Sequence, residues 1–250
     1  MYHSVGGSTE EVGADIYSVS VDEFKKQMEF VAKLGTVSIQ GLAPRCARGE
    51  SLEVNRGGFR TAPVITFDDG LLNDYKVAFP ILKDLGLKAY FFILVSKIDT
   101  NGYMDWEQIR QLRDAGMVIG SHGMTHRILT ELDDKELDYE LSESKKLLEK
   151  NLGQPIDYLS IARGFHNKKI IDKVREIGYR AVFTSNPSDN DGFKFGRIPV
   201  RGNWSLEYFI RVLNNGLSFR DKTEELIKKS SKRILGAGYY DKIRTKILKK

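Results

Sequence analysis

Short apolar runs alternate with longer amphipathic stretches along most of the 250 residues. Pro63 to Phe67, Lys88 to Val95, Val118-Ile119-Gly120, Asp157 to Ala162 and Arg180 to Thr184 are brief and rich in β-branched or aromatic residues. Such runs predict strands buried on both faces. Between them apolar residues recur at helical spacing. Phe24, Met28, Val31 and Leu34 follow a capping box at Ser20-Val21-Asp22-Glu23, and a second box at Asp105-Trp106-Glu107-Gln108 opens a helix that Gly116 closes. Asp74 to Leu85 reads as helix with a kink or restart at Pro80. Asp133 to Leu152 sets Leu137, Leu141, Leu148 and Leu152 among acids and lysines, the pattern of an outer helix with a solvated face. A helix to Ile177 and another over Ser205 to Leu213, with strands at Thr36 to Ile39 and Arg197 to Val200, complete the series. Gly6 to Tyr17 and Gln40 to Arg60 read as loops. Strands and helices alternating about seven times predict an α/β fold with parallel strands and crossover helices.

The strand from Pro63 ends in Asp68-Asp69-Gly70. Adjacent carboxylates repel and lose hydration on burial, so the pair suits a site with a cation to hold or a proton to accept. Asp-Gly is also a hairpin turn signal, but Leu71 to Leu85 reads as helix, so a strand-to-helix junction is expected. That places both aspartates at the C-terminal end of a strand, where α/β proteins build active sites. Two of the four histidines, His122 and His126, follow the Val118 strand four residues apart. On a helical turn that spacing brings both imidazoles within reach of one ion. Alone, such a pair is more often a solvated face. Beside the Asp-Asp end it completes a carboxylate-and-two-imidazole metal set with open positions. Site motifs drawn from several strand ends favour a closed sheet over an open one.

Thr66-Phe67-Asp68-Asp69-Gly70 with Ser121-His122-Gly123-Met124-Thr125-His126 resembles the paired motifs of the polysaccharide deacetylase family (NodB-homology, carbohydrate esterase family 4). The resemblance runs through most of residues 1–215. It implies a distorted (β/α) barrel of about seven parallel strands, NodB-like. It also implies removal of N-acetyl groups from an amino-sugar glycan or glycolipid. Carried over, Asp68 is the general base, and Asp69, His122 and His126 hold a divalent ion, zinc first, with iron, nickel or cobalt as alternatives. Most members of that family protonate the leaving amine with a histidine in a Leu-His motif near the C-terminal end, and no histidine follows His166 here. Tyr2-His3 resembles the family's first strand, which makes His3 the expected acid and His166 a substrate contact or the alternative acid. Arg163, in Ala162-Arg163-Gly164-Phe165, stands where the family has an arginine that orients the base, though the prolines of that motif are missing. Trp204 and Trp106 could stack on a sugar ring or serve the core. The alternatives are a deformylase or deacetylase of a small lipid-linked sugar, and a non-catalytic glycan-binding barrel.

Composition adds three constraints. At 41% hydrophobic residues the chain can fill a barrel-sized core, and no apolar run approaches the ~20 residues of a membrane helix. Met1 to Val5 runs straight into a strand-like segment rather than a signal peptide, and the single Cys46 fits a reducing compartment, so a cytoplasmic enzyme is expected. Net charge is +5, but residues 219–250 hold eleven Lys or Arg against four acids, so the basic character sits in the tail. The expected organisation is therefore a catalytic domain over 1–218 and a basic helical tail over 219–250. The tail reads as a pair of helices capping the barrel or as a helix lying on an anionic membrane surface, peripheral to the membrane beside a lipid-linked substrate. No recognition motif accompanies the charge, which argues against nucleic acid.

Overall fold

A computed structural model describes residues 1–7, 16–34 and 63–217 of the chain. The expected strand at Thr36 to Ile39, the loop around Cys46 and the tail over 219–250 lie outside the described residues. No helix among the described residues is long and apolar enough to cross a membrane.

Six parallel strands form one sheet in chain order: β3 (Ile65–Phe67), β4 (Ala89–Ile93), β5 (Val118–Ser121), β6 (Tyr158–Ser160), β7 (Ala181–Thr184) and β8 (Lys194–Gly196). Because each strand pairs with its chain neighbours, the sheet advances in one direction and curls. β1 (Ser4–Val5) pairs with β2 (Ser18–Val19), and the residues just before it close the seam. Tyr2 bridges Phe67 in parallel, its N–H donating to the Thr66 carbonyl at 2.8 Å and its carbonyl accepting the Asp68 N–H at 3.2 Å. On the other side the Val200 N–H donates to the Met1 carbonyl at 2.9 Å. The result is the distorted barrel that the site motifs and the family resemblance implied. The last strand is displaced from the sequence expectation: pairing with β7 is over Lys194–Gly196, while 198–200 turns to Met1. Its half-buried residues lack the apolar run that marks the other strands.

Helices cover the outer face: α1 (Val21–Leu34), α2 (Phe79–Asp84), α3 (Trp106–Asp114), α4 (Asp134–Asp138), α5 (Ser144–Leu152), α6 (Lys168–Glu176) and α7 (Leu206–Asn215). Capping sets their starts. Asp105 accepts the Gln108 N–H at 2.7 Å while Gln108 Oε1 accepts the Asp105 N–H at 3.0 Å, and Asp133 with Glu136 repeats the arrangement before α4. Pro80 falls in the first turn of α2, directly after a π turn over Asp74–Ala78 whose helical backbone runs on into α2. A second π turn, Tyr139–Glu143, joins α4 to α5.

Alternate strand residues divide two apolar layers. Phe67, Phe91, Ile93 and Ile119 pack in the main core with helix residues such as Leu82, Ile109, Leu112, Leu148 and Val174. Tyr90, Phe92, Tyr158, Ala181 and Phe183 form a second cluster contributed by strands alone, the barrel interior. Gly120 makes room for it, since a Cβ there would lie 2.5 Å from the Phe92 ring. On the same parity as these interior residues lie Val64, Thr66 and Asp68 along the β3 direction, and Ser160 at the end of β6. The aromatic floor thus gives way to a polar layer at the strand C-termini.

Candidate metal centre and its paired aspartate

Asp69 and Gly70 both take left-handed φ, 76° and 77°, the backbone that Asp-Gly favours in hairpins. Here the turn feeds a helical segment, which aims the two aspartates to different partners. Asp68, 3% exposed, points into the polar layer. Arg197 Nη1 and Nη2 donate to its Oδ1 and Oδ2 at 2.6 and 2.8 Å, and Ser160 Oγ donates to Oδ2 at 3.1 Å. Burial by itself would raise the Asp68 carboxyl. The Arg197 guanidinium overrides it, helped by His122 and His3, and holds the group well below the usual carboxylate range. Arg197 is itself 7% exposed and also donates to Thr66 Oγ1 at 3.2 Å and to Ser160 Oγ at 2.7 Å. Its plane lies over the Phe92 and Phe183 rings, 5.4 and 5.7 Å from their centroids.

Asp69 faces the histidines. Its Oδ1 lies 3.4 Å from His122 Nε2 and 3.5 Å from His126 Nε2, and the three donor atoms all fall within 4.8 Å of one another. His122 Nδ1 lies 2.9 Å from the Ser160 carbonyl, which takes the Nδ1 proton and leaves Nε2 free as a ligand. Burial, then the neighbouring His122, lowers His126 to about 4, so it is neutral, as a ligand must be. Burial by itself would raise the Asp69 carboxyl, but the neighbouring His122, then His126, hold it below the usual carboxylate range. One hard oxygen and two imidazole nitrogens converging at this spacing fit a divalent transition ion with open positions. The pair does not ride on a helical turn as its spacing suggested. His122 follows β5 directly, and His126 reaches the same point through a loop in which it takes φ 64°. Non-glycine residues in that region are uncommon and cluster at functional sites.

His3 stands beside the centre. Its Nδ1 is buried without a protein partner, and burial, opposed by the Asp68 and Asp69 charges, lowers its pKa below the usual imidazole range. His166 is placed otherwise, with Nε2 3.3 Å from Asp189 Oδ2 and Nδ1 3.1 Å from the Gly164 carbonyl. Both its nitrogens face oxygen atoms of the protein. Arg163 is not the guanidinium on Asp68. It lies in the 162–164 turn with φ 58°, and its charge is felt at His126. Trp204, which the sequence left as a stacking platform or a core residue, is buried in the main core against Tyr208, with ring centroids 4.9 Å apart. Arg197 and Ser160 were not singled out by sequence reasoning. The available signal was an arginine beside an apolar Ile-Pro-Val stretch, since a buried arginine demands a partner.

Asp74 is a further buried acid, fully enclosed with neither carboxyl oxygen hydrogen-bonded. Burial, then the Asp69 and Asp68 charges, push it well above the usual carboxylate range. Its folded pKa exceeds the unfolded one, so folding takes up a proton. The contribution is most favourable below the unfolded value and is lost as pH rises towards the folded one. In the metal-free protein, Asp74→Asn should match wild type near pH ~4 and gain on it at up to ~1.4 kcal/mol per pH unit above that. Urea unfolding at acid and neutral pH measures the gap; a constant gap would mean Asp74 is ionised when folded.

Fold and site together define a distorted (β/α) barrel with a metal-competent Asp-His-His centre at its strand ends, beside an arginine-paired aspartate. Residues 60–182, just under half of the chain, match the family model for polysaccharide deacetylase. The putative polysaccharide deacetylase YxkH of Bacillus subtilis is 28% identical over 187 residues, 75% of this chain and 63% of that protein. The peptidoglycan-N-acetylglucosamine deacetylase of Bacillus cereus is 28% identical over 122 residues, 48% of this chain and 55% of that protein. The chain thus spans less than two thirds of the curated relatives it matches. Among solved structures, the Streptococcus pyogenes deacetylase PplD superposes with a TM-score of 0.74 at 21% identity, covering 85% of this chain and 96% of that one.

Proposed function

We propose that the chain is a metal-dependent hydrolase that removes N-acetyl groups from an amino-sugar glycan. The observation that carries this is a single buried cluster: an ionised, arginine-held Asp68 beside the converging Asp69, His122 and His126, with His3, whose Nδ1 has no partner, among the same charges. The two curated relatives support the substrate class, as their names describe deacetylases of polysaccharide and of peptidoglycan N-acetylglucosamine.

Asp69, His122 and His126 would hold a divalent ion, zinc by preference, which would supply Lewis acidity towards an acetyl carbonyl and a water. Asp68 takes the proton of the attacking water, and the two Arg197 bonds fix its oxygens for that task. Thr66 and Ser160 hold Arg197 in turn, so the base is oriented from three strands. His3 then gives a proton to the departing amine. It suits this role better than His166 because its Nδ1 has no protein partner, whereas both nitrogens of His166 do.

The test is acetate release from N-acetylated oligosaccharides of graded length and from a lipid-linked N-acetyl amino sugar, with divalent ion and with chelator. Metal-dependent acetate is expected, and the preferred length separates a glycan from a lipid-linked substrate. His3→Ala should lower kcat by ~10²-fold or more, in the range typical of a general acid, while His166→Ala leaves it within a few-fold. Loss confined to His166→Ala would exchange the two roles, and binding of the glycans without acetate would make this a non-catalytic barrel.

A further inference from the structure

The loop that carries the two histidines has no secondary structure of its own, yet it must hold His126 at φ 64° and Gly123 at φ 84°. Its carbonyls are used on one side, where the Val95 N–H donates to Gly123 and the Ser96 N–H to Met124, at 3.2 and 2.9 Å. Its N–H groups turn the other way, to one buried side chain. Glu140, 2% exposed, accepts the Met124 and Thr125 N–H groups on Oε2, each at 2.9 Å, and the Thr125 hydroxyl on Oε1. The fit leaves little room: a Cβ on Gly123 would sit 3.1 Å from that Oε2.

Glu140 is firmly mounted. It lies in the π turn between α4 and α5, where Ser144 Oγ donates to the Glu140 carbonyl at 2.7 Å and accepts from Ser121 Oγ at 2.9 Å. Ser121 Oγ in turn accepts the Gly123 N–H at 3.1 Å, and the Tyr179 hydroxyl donates to the Leu141 carbonyl at 3.1 Å. π turns inside helices are frequent at functional sites, and this one faces the metal loop.

We propose that Glu140 is a positioning residue for the metal centre, a carboxylate clamp that sets the distance between His122 and His126. It rests on the reading of Asp69, His122 and His126 as ligands. Its three donors occupy both carboxylate oxygens, so it acts through the loop and not on the ion. Charge-assisted bonds to backbone N–H groups are the strong kind, and groups that orient metal ligands typically govern 10–100-fold in affinity.

The experiment titrates the full-length, metal-stripped protein with Co²⁺, reading the visible absorption bands, and repeats it with Zn²⁺ by chelator competition. Glu140→Ala should weaken affinity ~10–100-fold and change the intensity of the cobalt bands. Glu140→Gln should stay within a few-fold of wild type, because a rotated amide offers its oxygen to the two N–H groups and its NH₂ to the Thr125 oxygen. Leu148→Ala is the control on the same helical stretch: it empties a fully buried core position and should lower Tm without moving metal affinity. Equal affinity of Glu140→Ala and wild type overturns the clamp, as does an equal loss in Leu148→Ala. Should Glu140→Ala fail to fold, Thr125→Val decides at an exposed position: a several-fold loss supports the clamp and no loss overturns it. A wild type that takes up no ion overturns the metal centre itself, a separate result.

Discussion

Asp68→Asn is expected to lower turnover by ~10²–10⁴-fold while leaving metal uptake intact. The two effects separate because the adjacent aspartates have separate partners. Asp69 alone of the pair belongs to the converging ligand set, while both oxygens of Asp68 are taken by Arg197 and Ser160. Asparagine keeps the shape and one accepting oxygen but can no longer take a proton from water. A group that acts only on the way to the transition state lowers kcat and kcat/KM together, with KM little changed. Wild type has a second signature. Because burial is outweighed by Arg197 and the imidazoles, Asp68 stays ionised below the usual carboxylate range, so no loss of the base should appear in kcat/KM until well into acid. Steady-state kinetics across pH, with metal content measured on the same preparations, checks both. A variant that turns over at near the wild-type rate would make Asp68 a structural partner of Arg197.

The parts of the site that a single strand could specify were legible, and those assembled across the barrel were not. Pro63 to Gly70 announces a buried strand that ends in two acids, and the structure places those acids at a strand C-terminus feeding a helix. The capping box at Asp105 carries its own geometry and appears as expected, while the one at Asp133 was not foreseen. The His-x-x-x-His spacing pointed to convergence but not to its cause. A left-handed His126 and a loop held by Glu140 do what a helical turn would have done. Arg163 attracted the orienting role because it follows a strand end and matches a family position. The arginine that binds Asp68 is 129 residues from it in sequence, just past a strand with weak apolar patterning. Its proximity arises only when that segment turns to meet Met1 and the sheet closes, and no local periodicity records that. Trp204 illustrates the same limit, since an aromatic residue near a helix start reads alike whether it faces a groove or the core. His3 was singled out through family resemblance alone, and its Nδ1 is buried without a protein partner.

Arg197→Met is expected to cost about 3–5 kcal/mol of stability at neutral pH, as does breaking a buried ion pair from one side. Truncation of the head group removes both bonds to Asp68 together with those to Thr66 and Ser160, and leaves a carboxylate that is 3% exposed. Methionine preserves much of the packing over Phe92 and Phe183, so the loss reports on charge more than on volume. The pH dependence follows from two shifts of opposite sign. In wild type the Asp68 pKa is depressed, so the pair contributes fully above the unfolded carboxyl value near ~4 and is lost as pH falls through the folded one. In the variant, burial without the guanidinium raises the Asp68 pKa above its unfolded value, so stability falls as pH rises. Both trends widen the gap between the proteins from acid to neutral pH. Urea unfolding of the metal-free proteins at both pH values measures it, and the double variant Asp68→Asn with Arg197→Met should recover much of the loss because no buried charge is left unpaired. A gap of the same size at both pH values would show that Arg197 works through the packing of its stem, and that Asp68 owes its ionisation to the imidazoles instead.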